Sequence, residues 1–338
     1  MMQQKHVSLA IIALLGSLST SLQADIDVYG QLHLSGDWVD NASIADTTMT
    51  SNASHLGFKG EHPLNYGFTA MWTLESNIDV AGEREWLTAR NRFIGLKHEY
   101  GTLIAGYHDT PMKILGESID MWAETMADRR NIIGSGDGTS SDIRSRNSAM
   151  YISPTLYGME WRMMASVGGD NDPNMDSQYM LSSSLIYNHE YAFIGFSGER
   201  QKQTELARDH ARAIAGVRYA GAKLNVFYEY MKSDSIDEFS RQGYGSSASY
   251  TLYDTSLKMQ AFYADNNDTR ANSDALSFSV GLSQTFSKNL EMYLLYAQTI
   301  NGANASYALG SGEHGDTYYG DTAGDDLMGV SAGISYRF

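Results

Sequence analysis

Between residues 109 and 143 the chain carries seven carboxylates, Asp109, Glu117, Asp120, Glu124, Asp128, Asp137 and Asp142, against three bases, Lys113, Arg129 and Arg130. Two arginine pairs stand on either side of this run, Arg90 with Arg92 and Arg144 with Arg146. A spacing of two puts each pair on one face of an extended strand. If both strands border the strand 101–108, the pairs lie roughly 10 Å apart across a sheet. Four guanidiniums on one wall repel one another unless water and carboxylates screen them, and the acidic run can supply that screening. The chemistry is therefore a transverse electric field rather than bond breaking. At an effective dielectric of about 20, unit charges 4 Å apart interact by about 4 kcal/mol, and salt screens the interaction over roughly 8–10 Å. Ions and zwitterions would feel such a field; a large apolar solute would lose oriented water on entering it.

Other chemistries find little support. The nine His show no metal-ligand spacing, and with no Cys there is neither a thiolate metal site nor a disulfide framework. Asp170, Asp172, Asn174 and Asp176 copy the first half of a calcium loop. Met175, however, stands where the turn needs Gly, and Leu181 where a bidentate Glu belongs. No phosphate-binding glycine loop and no nucleophile elbow are present. A formal charge of −16 argues against nucleic acid. No cofactor and no metal are expected.

The elements that must position these charges are strands. Asp25 to Trp38 alternates Ile26, Val28, Leu32 and Leu34 with Asp27, Tyr29, Gln31, His33 and Ser35. Lys223 to Lys232 and Asp274 to Phe286 alternate in the same way, one face apolar and the other small or polar. Period-two patterning marks half-buried strands. Only 4 Pro in 338 residues suits a chain whose backbone donors are needed for ladders. The pattern gives sixteen strands: 25–38, 52–62, 65–77, 86–98, 101–108, 144–153, 157–168, 178–189, 191–200, 210–220, 222–232, 244–253, 255–265, 274–286, 289–300 and 327–338. Connections alternate between tight turns such as Glu99-Tyr100 and Ala220-Gly221 and long acidic segments: 39–51, 109–143, 169–177, 201–209, 233–243, 266–273 and 301–326.

Residues 1–24 form a separate object. Lys5 precedes a short apolar core, Val7 to Leu22, and Ala24 offers a small residue before Asp25. This reads as a secretory signal peptide, whose removal makes the chain one unit more negative, leaving 25–338 as one domain. No later stretch has the about 20 apolar residues a membrane helix requires. A secreted chain of alternating strands with short turns at one end and long loops at the other is laid out as an outer-membrane barrel. Periodicity does not tell which face is inside, so a secreted β-sandwich or β-helix is the alternative; the expected fold is all-β, a transmembrane antiparallel barrel of sixteen strands.

Several stretches carry a family resemblance. Asp27-Val28-Tyr29-Gly30, His55 to Glu61 (HLGFKGE), Arg90 to Lys97 (RNRFIGLK), and Arg146-Asn147-Ser148 with Ser153-Pro154 follow one another as in the general diffusion porins of Gram-negative outer membranes. The final strand, Met328 to Phe338 with Tyr336 two before the end, is similar to the signal that the barrel-assembly machinery reads in outer-membrane proteins. The resemblance implies an inward-folded constriction loop at 109–143 and a homotrimer in contact with lipopolysaccharide and outer-membrane lipid. It also implies a water-filled path for ions and small hydrophilic solutes. It places Asp120 and Glu124 in the acidic stretch that lines the pore, with Glu117, Asp128 and Asp109 nearby, facing Arg90, Arg92, Arg144, Arg146 and His55, the last where an arginine is common. Ala123 departs from the family, where Pro is usual, and the Gly pair that often follows is missing. Weak cation preference is expected from the acidic balance. A saturable channel for sugars, an enzyme on a smaller barrel and a purely adhesive barrel are the alternatives.

Overall fold

The computed structural model describes residues 25–41, 45–82, 88–134, 140–168, 179–203, 206–234 and 238–338. The expected signal peptide, Asp137 and the calcium-like stretch Asp170 to Asp176 lie outside them. Among the described residues there are seventeen strands, all in one antiparallel sheet. They are β1 (Asp25–Asp40), β2 (Ala45–Ser51), β3 (His55–Pro63), β4 (Thr69–Asn77), β5 (Thr88–His98), β6 (Gly101–Asp109), β7 (Arg144–Ile152), β8 (Met159–Val167) and β9 (Tyr179–Asn188). The rest are β10 (Ala192–Gln203), β11 (Leu206–Tyr219), β12 (Ala222–Asp234), β13 (Phe239–Leu252), β14 (Thr255–Ala264), β15 (Ala275–Ser287), β16 (Leu290–Asn301) and β17 (Leu327–Arg337).

β1 pairs with both β2 and β3, each strand from β3 onward pairs with the next, and β17 returns to β1 with Gln31 opposite Arg337 and Asp40 opposite Met328, so the sheet closes. The ring has sixteen staves because β2 and β3 share one. Leu34–Asp40 of β1 pairs with β2, and Asp25–Gln31 pairs with β3. The break between them falls at 52–54, where Ala53 adopts φ 46° and Asn52 turns its amide to the Ser35 hydroxyl, 2.8 Å away. Segment 39–51, expected as a loop, is thus largely strand; β11 and β13 likewise reach into the expected loops 201–209 and 233–243.

The apolar half of each alternation faces outward. Val330, Ile334 and Tyr336 of β17 are exposed, while Ser331 and Ser335 between them are buried. Closure removes every sheet edge, which is what lets strands stand in lipid. Tyr66, Tyr157 and Tyr253, all at the tight turns, are more than nine-tenths exposed, as an interfacial aromatic girdle requires. Ala220 (φ 48°) and Gly221 (φ 84°) form the two-residue turn between β11 and β12, both in the left-handed region that matches strand twist.

Some inward positions are apolar, and these mark where a loop fills the lumen. Ile214, Phe227, Phe262, Ala264 and Ala275 on the wall meet Leu115, Ile119, Ile132 and Ile133 of the segment 110–143. Val39, Tyr293, Leu295, Ala297 and Leu327 meet Trp122, Met126 and Ala127, with Leu309 from the segment 302–326. Two loops therefore fold into the barrel, and the core sits between them and the wall.

Candidate functional site

Segment 110–143 starts as a short helix, α1 (Pro111–Glu117). Pro111 opens its first turn, and the Thr110 hydroxyl accepts a hydrogen bond from the Lys113 amide at 3.2 Å. The segment is then tied to the wall by charge. Asp142 receives Arg129 through two hydrogen bonds of 2.8 and 2.9 Å and Arg212 of β11 through two more, at 2.8 and 3.1 Å. Arg212 also pairs with Glu229 of β12, which accepts the Gly134 amide at 3.2 Å. These four side chains are buried; burial alone would resist ionising Asp142, but Arg129 and Arg212 outweigh it and hold the carboxyl well below the ordinary range. Gln260 of β14 adds two neutral links, accepting from the Met121 amide at 2.9 Å and donating to the Ala127 carbonyl at 2.7 Å.

Opposite this anchor the segment 302–326 sends a tip into the lumen. Leu309 and Tyr318 pair as a two-residue bridge, and Gly310 (φ 79°) and Gly312 (φ 82°) make the bend between them. The tip is clipped to the first loop by Gly310 N–H donating to the Met126 carbonyl (3.1 Å) and Ser311 N–H to Asn131 Oδ1 (2.8 Å). On the wall side Gly315 N–H donates to Asn52 Oδ1 (2.9 Å), and His314 Nε2 lies 3.0 Å from Asp37 Oδ2. Glu313 is carried at the end of this tip.

Glu313 is the centre of a charge cluster. Its Oε1 lies 2.6 Å from Lys113 Nζ, 2.6 Å from Arg144 Nη2 and 3.7 Å from Arg130 Nη1; its Oε2 lies 2.7 Å from Arg90 Nη1. Asp109 Oδ1 shares two of these bases, 2.6 Å from Lys113 Nζ and 3.0 Å from Arg144 Nε. Arg130 is held by Asp128 at 2.6 Å. Burial opposes ionisation of Glu313, but Lys113, Arg90, Arg144 and Arg130 outweigh it and keep its carboxyl well below the ordinary range. Gly312 is needed here for closeness as well as conformation, since a Cβ would stand 2.6 Å from Arg130 Nε.

The expected residues fall into three groups. Arg90, Arg144 and Asp109 meet in the cluster, and Glu117 stands at its margin, 3.7 Å from Lys113 Nζ. Its side chain is 42% exposed, more than any other in the cluster, yet the surrounding wall raises its carboxyl to about 7. Glu124 (φ 63°) accepts from Gln31 Nε2 at 2.8 Å; burial, then Glu313, pushes its carboxyl up. Asp120 and Asp128 brace the loop itself. Asp120 accepts the amides of Trp122 and Arg129, at 3.0 and 2.9 Å, and burial, then Asp128, raises it to about 6. Asp128 is fully buried and accepts the Glu124 amide at 2.9 Å. His55 is half-buried, its Nδ1 2.8 Å from the Ala53 carbonyl oxygen.

The shared faces expected for Arg90 with Arg92 and for Arg144 with Arg146 are not what the structure has. Between β4 and β5 the register shifts, so that Arg90 and Asn91 both oppose Glu75. Such a bulge inserts one residue and inverts the alternation beyond it. Arg90 reaches Glu313 and Asn91 reaches Asp109 (2.9 Å), whereas Arg92 is exposed and continues with Ile94 and Leu96 on the outer face. A second shift between β6 and β7 sets Arg146 and Asn147 (φ 49°) against Tyr107. Tyr107 is the cross-strand partner of Arg92, and the exposed Arg146 guanidinium lies 5.9 Å from its ring centre. Trp122 is 2% exposed, covered by Tyr293 and by Lys258 Nζ 5.0 Å from its ring, so it offers no stacking surface to a sugar.

Glu313 was not among the expected residues. Its one sequence signal is local: a carboxylate among Gly310, Gly312 and Gly315, the composition of a tight tip able to approach other groups closely. Among the described residues no group of three or more His, Cys, Asp or Glu is placed to hold a metal ion.

A closed, girdled barrel with a charged interior is the architecture of an outer-membrane channel. The chain belongs to the Gram-negative porin family, whose model matches residues 8–304. It is similar to the major outer membrane protein P.IB of Neisseria sicca, 25% identical over 279 residues that make up 78% of this chain and 75% of that protein. The counterpart from Neisseria gonorrhoeae is 27% identical over 206 residues, 58% of each chain. Among solved structures, the anion-selective porin from Comamonas acidovorans superposes with a TM-score of 0.81 at 21% identity, covering 94% of this chain and 100% of that one. The trimer form of OmpT, an outer membrane protein of Vibrio cholerae, gives 0.73 at 14% identity, covering 93% and 99%. The protein is an outer-membrane porin, a passive diffusion channel.

Proposed function

We propose that the narrowest section of the channel lies between α1, the tip carrying Glu313 and the wall bearing Arg90 and Arg144, and that it weakly prefers cations. The observation that carries this is the state of the bases. Arg90, Lys113, Arg130 and Arg144 each have a carboxylate within 3 Å, and the cluster's most exposed side chain is the acid Glu117. A passing ion therefore meets cations that are already paired, and the most accessible group is an acid, Glu117, 3.7 Å from Lys113 Nζ and charged as pH rises through about 7. The likeness to an anion-selective porin concerns the fold; the sign of selectivity follows from this chain's own charges. The same reading takes the pore to be a homotrimer in lipopolysaccharide-containing membrane, admitting ions and small hydrophilic solutes and inserted by the barrel-assembly machinery.

The test is conductance of the purified protein in a planar bilayer with unequal potassium chloride on the two sides. Openings that close in threes, with a reversal potential on the cation side, are expected. A reversal potential on the anion side would overturn the preference, and no conductance from folded, inserted protein would overturn the placement of the path.

A further inference from the structure

Four cations surround the Glu313 carboxylate. They come from three different parts of the chain: Arg90 from β5, Arg144 from β7, and Lys113 and Arg130 from the loop 110–143. Lys113 is 2% exposed and Arg90 and Arg130 are each 7% exposed, and all of them converge on one carboxylate. Asp109, Asp128 and Glu75 also face these bases, but three carboxylates against four cations leave an excess of positive charge, and buried excess charge is strongly disfavoured unless an anion fills the site. The anion here is part of the protein. It arrives on a tip held by Met126, Asn131, Asn52 and Asp37. Gly312, immediately before Glu313, lets the backbone approach Arg130 closely enough to seat it.

We infer that Glu313 is a resident carboxylate occupying an anion site built by Arg90, Lys113, Arg130 and Arg144, and that this single group sets the sign of the channel's ion selectivity. With Glu313 in place, the site is closed to solute anions. Without its charge, the same four cations bind chloride or a small oxyanion and favour anion passage. The inference rests on the reading that the cluster borders the diffusion path.

The experiment is the reversal potential of Glu313→Gln in a potassium chloride gradient, set beside the parent and Arg144→Gln. Glu313→Gln is expected to lower the potassium-to-chloride permeability ratio on the order of tenfold, the effect of one unscreened charge beside a narrow path, and to carry it across unity. Inorganic phosphate is expected to reduce its chloride current at concentrations that leave the parent unaffected. Arg144→Gln is expected to move the ratio the other way. The double variant Glu313→Gln/Arg144→Gln has one uncompensated cation fewer and keeps the test open where the single variant does not fold. It is expected to be displaced toward anions relative to Arg144→Gln.

If Arg144→Gln shifts the ratio and neither Glu313 variant does, the assignment to Glu313 is overturned while the position of the path stands. If none of the variants moves the ratio, the cluster does not border the path, and both readings fall. Both comparisons read the displacement between variants; a parent that already prefers anions would overturn Glu313 as the group that sets the sign.

Discussion

Arg129 and Asp142 face each other inside the barrel as two parallel hydrogen bonds, 2.8 and 2.9 Å long, with both side chains sealed from water. Asp142 also carries Arg212, so one carboxylate on the loop joins two guanidiniums, one from the loop and one from the wall. Removing one partner of a buried pair leaves uncompensated charge and costs about 3–5 kcal/mol. Asp142→Asn strands Arg129 and leaves Arg212 with Glu229 alone. The folded barrel of this variant is expected to unfold at a lower temperature, read as the shift in mobility between unheated and heated samples on gels. Its open-channel current is expected to be noisier, because the loop 110–143 loses its charged tie to β11 and keeps only the neutral bonds of Arg212 to Met112 and Ser141. Unchanged thermal stability together with a quiet current would show that the apolar contacts of Leu115, Ile119, Ile132 and Ile133 hold the loop unaided.

Ion selectivity is expected to depend on pH through Glu117. Its carboxyl sits at about 7 because the surrounding wall disfavours the charged form. As pH falls through 7 it gains a proton, the channel loses a negative charge, and the potassium-to-chloride ratio falls. Glu313, held well below the usual range by its four cations, keeps its charge throughout. The linkage to stability has a definite sign: a carboxyl raised on folding favours the folded state fully below its unfolded value, and that contribution is lost as pH rises through 7. Reversal potentials at pH 8 and 5.5 measure the first effect. A Glu117→Gln variant whose ratio still falls as steeply as the parent's would assign the titration to Glu124 or Asp120 instead.

Arg90 and Arg92 are two apart in sequence yet on opposite sides of the wall, which separates them experimentally. Arg90→Ala removes a cation from the cluster and is expected to raise the potassium-to-chloride ratio several-fold, with charges a few ångströms from the path interacting by about 1–4 kcal/mol before screening. Arg92→Ala is expected to leave the ratio within experimental error. Equal shifts from the two variants would place both guanidiniums in the lumen and contradict the bulge opposite Glu75.

That bulge shows where reading the chain directly stops working. Strand existence follows from period-two patterning, a local property, whereas the outward direction of the apolar face and the inward-folding segment 109–143 came with the family resemblance. The inserted residue at Arg90-Asn91 is not local: it depends on the register with β4, and every parity argument crossing it inverts. Gly106, at φ 148° and tight against the backbone at Phe93, was the available hint that this part of the sheet is irregular. Phe227, Phe262 and Leu295 were similarly ambiguous. An apolar residue on a polar face is explained only once a loop is known to cover it. Glu313 was the least legible, because its partners lie 169 to 223 residues away in the chain.

Phe338 closes the barrel at its lower rim. Its amide donates to the Gly30 carbonyl and its carbonyl accepts the Gly30 amide, both at 3.1 Å, and its ring covers the space where a Gly30 side chain would stand. The closing contact can be separated by experiment from the proposed assembly signal. The contact itself is modest: two backbone bonds at about 1 kcal/mol each, largely retained in Phe338→Ala, plus the packing of one ring that is nearly half exposed. Refolding of Phe338→Ala into detergent micelles is therefore expected to proceed with only a small loss of thermal stability. If Phe338 with Tyr336 is also what the assembly machinery reads, the same variant expressed in cells is expected to accumulate unfolded protein and to yield several-fold less inserted barrel. Matched losses in micelles and in cells would assign Phe338 to stability alone. A normal cellular yield would remove the last strand's aromatic end from the assembly signal.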